Sequence, residues 1–251
     1  LLSLLRLAGI LSGMAAAPRT VRARVRDELS REIRAVARRQ LAEHGSSGLS
    51  LRAVAREVGM VSSAIYRYYP SRDDLLTALI IDAYQAVGEA AELAEAGVRR
   101  PDHLGRWLAL TGAVREWASQ HPQEYALIFG SPVPGYQAPR DTVDPAARIP
   151  LLIMAILHDA ARAGRPVPAA DRPMPRSVRT DLKALRGLLA SELPEHQLGR
   201  AVMAWTQLIG SISFELFGHL HGVIVDYQGY FGYQMGRIGH ELGLDLRPGT
   251  E

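Results

Sequence analysis

Residues 50–69, S-L-R-A-V-A-R-E-V-G-M-V-S-S-A-I-Y-R-Y-Y, hold the densest chemistry in the sequence. Ser62, Ser63, Tyr66, Arg67 and Tyr68 gather hydroxyls and a guanidinium within one short stretch, flanked by Arg52 and Arg72. Such a set suits a polyanion. An arginine fork pairs with guanine O6 and N7, and hydroxyls donate to phosphate oxygens. Other chemistries find little material. There is no cysteine, which excludes disulfides, thiolate zinc sites, iron–sulfur clusters and cysteine nucleophiles. His219 and His221, among eight histidines, are two apart, so a helix points them to different faces. They read as core or cap residues. No H-E-x-x-H spacing, G-x-S-x-G elbow, Walker A loop or strand-borne G-x-G-x-x-G occurs. Asp73-Asp74 heads a helix, where negative charge complements the dipole. We expect no catalytic residue, no metal ligand and no cofactor.

Two short helices must position the candidate set. Ser50 stands as N-cap before Leu51–Val58, which Gly59 closes. Ser62 or Ser63 caps a second helix that runs to about Tyr68, before Pro70. Leu51, Val54, Ala55 and Val58 on the first, with Val61, Ala64 and Ile65 on the second, are expected to lock the pair as a helix-turn-helix. By pattern alone, an ordinary αα-hairpin with half-buried tyrosines fits as well. Upstream, Leu29, Ile33, Val36, Ala37 and Leu41 make one apolar stripe on a helix over about 22–44. Downstream, Ser71-Arg72-Asp73-Asp74 has capping-box spacing and opens a long helix into the mid-90s. Further helices are expected near 102–120, 121–130, 145–163, 178–191, 195–220 and 223–243. Ser131–Asp144, with three prolines, and Gly164–Pro175, with four, are expected as loops.

Charge divides along the chain. Of 29 basic residues 28 are arginine, a bias read as GC-rich coding rather than chemistry. Residues 14–79 carry 12 arginines against 7 acids, whereas residues 80–251 carry 16 basic against 19 acidic residues. A basic head on a mildly acidic body points to a polyanion met by the head. The 251 residues set a prior of one or two domains, and 47% hydrophobic with 22% charged content is an ordinary globular balance. The apolar charge-free run Ala201–Phe214 has 14 residues, short of a bilayer span. Residues 1–13 read as a translated upstream extension with Met14 as the natural start. Residues 1–18 are thus expected to be disordered or non-native, 19–75 to form the head and 76–251 the body.

The segment from about 29 to 84 resembles the DNA-binding domain of the TetR (tetracycline repressor-like) transcriptional regulators. The likeness rests on Ser50-Leu51-Arg52-Ala53-Val54-Ala55, Gly59-Met60-Val61-Ser62, Ile65-Tyr66-Arg67-Tyr68-Tyr69 and Ser71-Arg72-Asp73-Asp74-Leu75-Leu76. It implies a phosphate contact for Ser50, packing of Tyr66 on the DNA backbone and a phosphate grip for Arg72, where the family usually has lysine. Tyr68 stands where histidine is commoner, and Tyr69 where phenylalanine is. The C-terminal half is similar to the WHG-type regulatory domain through Trp117, Pro122-Gln123, Tyr125, Phe129-Gly130-Ser131-Pro132, Pro134-Gly135-Tyr136 and Phe217-Gly218-His219. The resemblance implies an all-α fold: a three-helix head joined by a long fourth helix to a helical effector-binding and dimerisation body.

The expected activity is that of a cytoplasmic homodimeric repressor with no membrane partner. It would bind a pseudo-palindromic double-stranded operator through Ser50, Arg52, Ser62, Ser63, Tyr66, Arg67, Tyr68 and Arg72. A small, mostly apolar effector would release it. Trp107, Leu110, Val114, Tyr125, Phe129, Met154, His158, Trp205 and Leu208 are the candidates for the effector pocket, with plain core packing as the other reading. Gly232, Gly236, Gly239 and Gly243 share one helix face, which is costly unless another helix approaches closely. With Ile224, Tyr227, Phe231 and Ile238 beside them, they are candidates for a dimer interface or for packing against residues 195–220. The alternative to a regulator is an all-α small-molecule carrier or enzyme whose first helical pair is structural. An adaptor whose head binds an acidic protein is a third.

Overall fold

Thr20 starts the first helix in the computed structural model, its hydroxyl accepting from the Ala23 N–H at 3.2 Å. The structure describes residues 20–45, 48–165 and 173–245, and every regular element among them is helical. The expected N-terminal extension lies outside this set. α1 (Val21–His44) ends at Gly45, whose φ of 68° is a left-handed value that favours glycine. α2 (Leu51–Glu57) follows Ser50, whose Oγ accepts from the Ala53 N–H at 3.4 Å. α3 (Arg72–Ala96) opens on the expected capping box: Asp74 accepts from the Ser71 N–H at 2.9 Å, and Ser71 Oγ accepts from the Asp74 N–H at 3.1 Å. Then come α4 (His103–Gln120), α5 (Pro122–Phe129), α6 (Val143–Arg162), α7 (Arg176–Leu188), α8 (Glu195–Leu216) and α9 (Tyr227–Glu241). The last begins four residues later than expected, because Asp226 caps it by accepting from the Gly229 N–H at 2.8 Å. Part of the proline-rich segment before α6 is ordered as a 3-10 turn, Arg140–Thr142.

Two compact units result. The first holds residues 20–84 together with His121–Val143. Its division differs from the expected boundary at 75/76, because α5 and the segment after it pack on the head. Tyr84 donates to the Ile128 carbonyl at 3.1 Å, and Thr77 and Tyr136 share a hydroxyl bond of 2.9 Å. Leu127, Ile128 and Val133 lie against a core built on Ile33, Val54, Ala55, Ile65, Leu75 and Leu76. The α1 arginines are used internally: Arg34 and Arg38 both reach Asp82, at 2.7 and 3.3 Å, and Arg39 reaches Glu57 at 2.8 Å.

The second unit holds Gln85–Gln120 and the described residues from Asp144 onward. Along the α4–α9 seam the buried Trp107 indole donates to the Met235 carbonyl at 2.8 Å. Gly239 of α9 gives the indole room: a Cβ there would lie 2.5 Å from Leu104 Cδ1 and 3.1 Å from Trp107 Cδ1. A charge cluster ties α3, α4 and α6. Arg106, 1% exposed, bonds Glu95 at 2.5 Å and Asp159 at 2.9 Å, while Arg100 closes a two-bond fork on Glu95 at 2.8 and 2.9 Å. Two more forks join distant helices, Arg115 to Glu215 at 2.8 and 2.6 Å and Arg148 to Glu92 at 2.8 and 2.7 Å. Between α7 and α8, Ala190 adopts φ 46°, a left-handed value that costs a non-glycine residue strain.

His103, at the start of α4, is buried, and its Nδ1 finds no partner among the described residues. Burial, then the neighbouring Arg165 and Arg106, hold its pKa below the ordinary histidine value, against a weaker opposing pull from Asp159 and Asp102. A depressed folded value means that the unfolded chain takes up the proton first. Stability present above pH ~6.5 is therefore expected to fall as pH drops below it. His103→Leu should remove this part of the slope in melting temperature measured from pH 7 to pH 5. An unchanged slope would exclude His103 as its source.

Candidate nucleic-acid interface

α2 closes at Gly59 with φ 77°, where the Gly59 N–H bonds the Arg56 carbonyl at 3.2 Å and the Met60 N–H bonds the Ala55 carbonyl at 2.8 Å. This pairing terminates the helix and turns the chain. The expected second helix is shorter than its sequence pattern implies. It is a series of tight turns from Val61 to Tyr69, of which Ile65–Arg67 is a 3-10 turn without a side-chain cap. Packing rather than a continuous helical ladder holds the chain between Gly59 and Pro70. Ile65 is fully buried, and Tyr69 is buried with its hydroxyl accepting from Arg34 at 3.1 Å.

That anchoring leaves Ser62, Ser63, Tyr66 and Arg67 exposed, together with Ser50 and Arg52 at the start of α2. Tyr68 is half-buried beneath the Arg26 guanidinium, 5.6 Å from the ring centroid. Arg26 also donates to the Arg67 carbonyl at 3.2 Å. Arg26 thus supports the candidate surface from α1. Its one mark in the sequence is its place three residues before the apolar stripe of α1. Arg72 is half-buried, donates from Nε to the Leu49 carbonyl at 3.3 Å and lies 3.5 Å from Asp73. Val61 departs from expectation. Instead of packing between the helices it is 71% exposed.

The candidate effector residues do not gather in one unit. Trp107, Leu110, Val114 and Leu208 are fully buried core of the second unit, where Met154, His158 and Trp205 are half-buried. His158 Nε2 lies 3.1 Å from Ser191 Oγ. Tyr125 and Phe129 belong to the first unit, their rings 5.1 Å apart, with Tyr84 edge-on to Phe129 at 5.8 Å. A groove of about 620 Å³ opens between α8 and α9, lined among others by Gln207, Phe214, Tyr230, Tyr233 and Arg237. None of the nine candidates lines it.

The candidate dimer residues also separate. Phe231, Ile238 and Gly239 are buried inside the subunit, so they pack its own core; Phe231 lies 5.5 Å from Arg115. Gly243, φ 78°, ends α9 rather than offering a face. Ile224 and Tyr227 are half-buried. Gly232 and Gly236 face open space, beside the exposed Tyr233.

No described helix is long and apolar enough to cross a membrane. Comparison with known proteins places both halves of the chain. Residues 33–79 match the family described as bacterial regulatory proteins, tetR family, and residues 107–238 match the tetracyclin repressor-like C-terminal domain. The HTH-type transcriptional regulator Rv1816 of Mycobacterium tuberculosis is 36% identical over 196 residues, 77% of this chain and 82% of its own. The crystal structure of the regulatory protein SCO4313 is 35% identical, with a TM-score of 0.70 over 88% of this chain and 98% of that one. RolR, solved with resorcinol, shares the fold alone at 17% identity, with a TM-score of 0.50 over 91% of this chain and 98% of its own. The likeness at both ends, over a helix-turn-helix head and an all-helical body, makes this chain a member of the TetR family of DNA-binding transcriptional regulators.

Proposed function

We propose that the protein is a homodimeric, effector-released repressor that binds a pseudo-palindromic operator. The observation that carries this reading is the exposed set Ser62, Ser63, Tyr66 and Arg67 on a turn clamped from beneath by Ile65 and Tyr69. Two such heads ~34–36 Å apart engage successive major grooves on one side of the duplex. Tyr66, Arg52 and Arg72 meet phosphates and give a salt-dependent affinity, and Arg67 reads a base edge. Gly232 and Gly236 let the partner's helix approach α9 closely. The effector is a small, mostly apolar molecule held by the helical body. That the same fold holds resorcinol in RolR supports an effector of this size and character. Release requires the effector to prefer the conformer with low operator affinity. Such a protein works in the cytoplasm, where the chromosome is.

Selection of randomised duplexes with the purified protein tests the reading. It should enrich an inverted repeat, and Tyr66→Ala should weaken all selected sites by a similar factor. Arg67→Ala should instead relax preference at one base pair in each half-site, a change of about 10-fold or more in discrimination. Failure to enrich any sequence at low salt would refute it.

A further inference from the structure

We infer that Val61 reads the 5-methyl group of a thymine in each operator half-site; the inference rests on the operator-binding reading above. Within residues 48–84 the exposed large hydrophobic side chains are Val61, at 71%, and Tyr66, at 43%. Valine gains nothing structurally where it stands. The Val61 carbonyl accepts from the Ala64 N–H at 2.8 Å, which makes Val61 the residue that opens the turn series. At such an opening Ser, Thr, Asp or Asn satisfies an orphan N–H, and valine has no oxygen to do so. Its neighbour Met60 is half-buried and lies against the head core. The left-handed Gly59 therefore sends Met60 inward and Val61 outward, so the exposure follows from the backbone and not from a loose side chain.

The surroundings name the occupant. Ser62 and Ser63, next to Val61 in the chain, are exposed, as are Arg67 on the same series of turns and Arg52 and Arg56 of the preceding helix. An apolar protein partner would have to leave these hydroxyls and guanidiniums facing it. A DNA major groove satisfies them with phosphate and base acceptors and offers one apolar feature, the thymine methyl. A branched, rigid side chain with one preferred χ1 fits that methyl at little entropic cost.

The test is a uracil scan. A duplex recovered by selection is remade with each thymine replaced in turn by deoxyuridine, which removes only the methyl. For the unmodified protein, affinity should fall roughly four-fold per half-site at one symmetric position, the worth of one buried methyl group. Val61→Ser should bind the thymine and uracil duplexes equally at that position, while keeping its response to other base changes. It should also melt no lower than the parent, because serine caps the turn. A flat scan with the unmodified protein overturns the inference and leaves operator binding intact. So does a Val61→Ser variant that keeps the full methyl response. If selection yields no specific duplex, the operator reading falls and this inference falls with it.

Discussion

Replacing Glu95 by alanine is expected to cost about 3–5 kcal/mol of folding stability, the usual toll for orphaning one member of a buried ion pair. The partner left behind is Arg106, 1% exposed, whose Nε would lose an acceptor 2.5 Å away. Asp159 holds the other end of that guanidinium at 2.9 Å and cannot reach the vacated one. Arg100 is different, being 57% exposed, so water replaces what it loses. Arg100→Ala should accordingly cost no more than about 1 kcal/mol. The double change Glu95→Leu with Arg106→Met should recover most of the Glu95→Ala loss, because a matched apolar pair avoids desolvating either charge. Urea unfolding of the three variants beside the parent measures all of this, and a loss under about 1 kcal/mol for Glu95→Ala would sink the argument. Acid adds a second reading. Burial alone would raise the Glu95 pKa, but hydrogen bonds from Arg100 and Arg106 outweigh it and hold the carboxyl below the ordinary glutamate range. A depressed carboxyl contributes stability above pH ~4.3 that is lost as pH falls through its folded value. Glu95→Ala should flatten that acid limb.

The α4–α9 seam gives the second large effect, and a change of sign along one helix. Trp107→Ala is expected to cost about 3–5 kcal/mol, since it empties a fully buried site and removes the bond that ties α4 to the Met235 carbonyl. Gly239→Ala should cost about 1–3 kcal/mol, because its methyl meets an indole that has nowhere to go. Leu104 can swing aside; Trp107 cannot. Gly232→Ala and Gly236→Ala should instead stabilise the subunit, by about 0.5–1 kcal/mol each, because their Cβ atoms would enter open space and alanine favours the helix. Those same two alanines should weaken self-association in sedimentation measurements if the partner helix approaches there. Thermal unfolding that ranked all three alanines alike would show that the glycines do not divide as described.

Local physics was readable in the sequence. Ser50, the Ser71–Asp74 capping box and Gly45 mark helix ends by rules that operate over three or four residues, and each appears where those rules put it. The periodic stripe of Ile33, Val36, Ala37 and Leu41 likewise became buried core. What escaped depends on partners far along the chain. Glu215 lies 100 residues from Arg115 and Glu92 lies 56 from Arg148, and no periodicity connects either pair. The transfer of α5 to the head unit rests on Tyr84 reaching the Ile128 carbonyl and Tyr136 reaching Thr77, again across long separations. Val61 escapes the pattern for a subtler reason. Its spacing to Ile65 assumes a helix, whereas the chain there is a set of turns, in which four residues no longer define a face. The glycine stripe of α9 shows the same limit: identical residues serve helix termination, close packing and open surface, and only the neighbours decide which.

The arginine bias also changes meaning once its partners are known. As a product of coding drift, the exchange of lysine for arginine is nearly neutral on a solvated surface. At Glu92, Glu95 and Glu215 each guanidinium now holds both carboxylate oxygens, a geometry that a single ammonium cannot reproduce. The drift was therefore easy to enter and is hard to leave. A descendant lineage whose base composition moved the other way would be free to regain lysine at exposed α1 sites such as Arg24 and Arg31. It would remain held to arginine at 115 and 148, where the forks are mostly buried, so these positions should act as a ratchet on the chain's history.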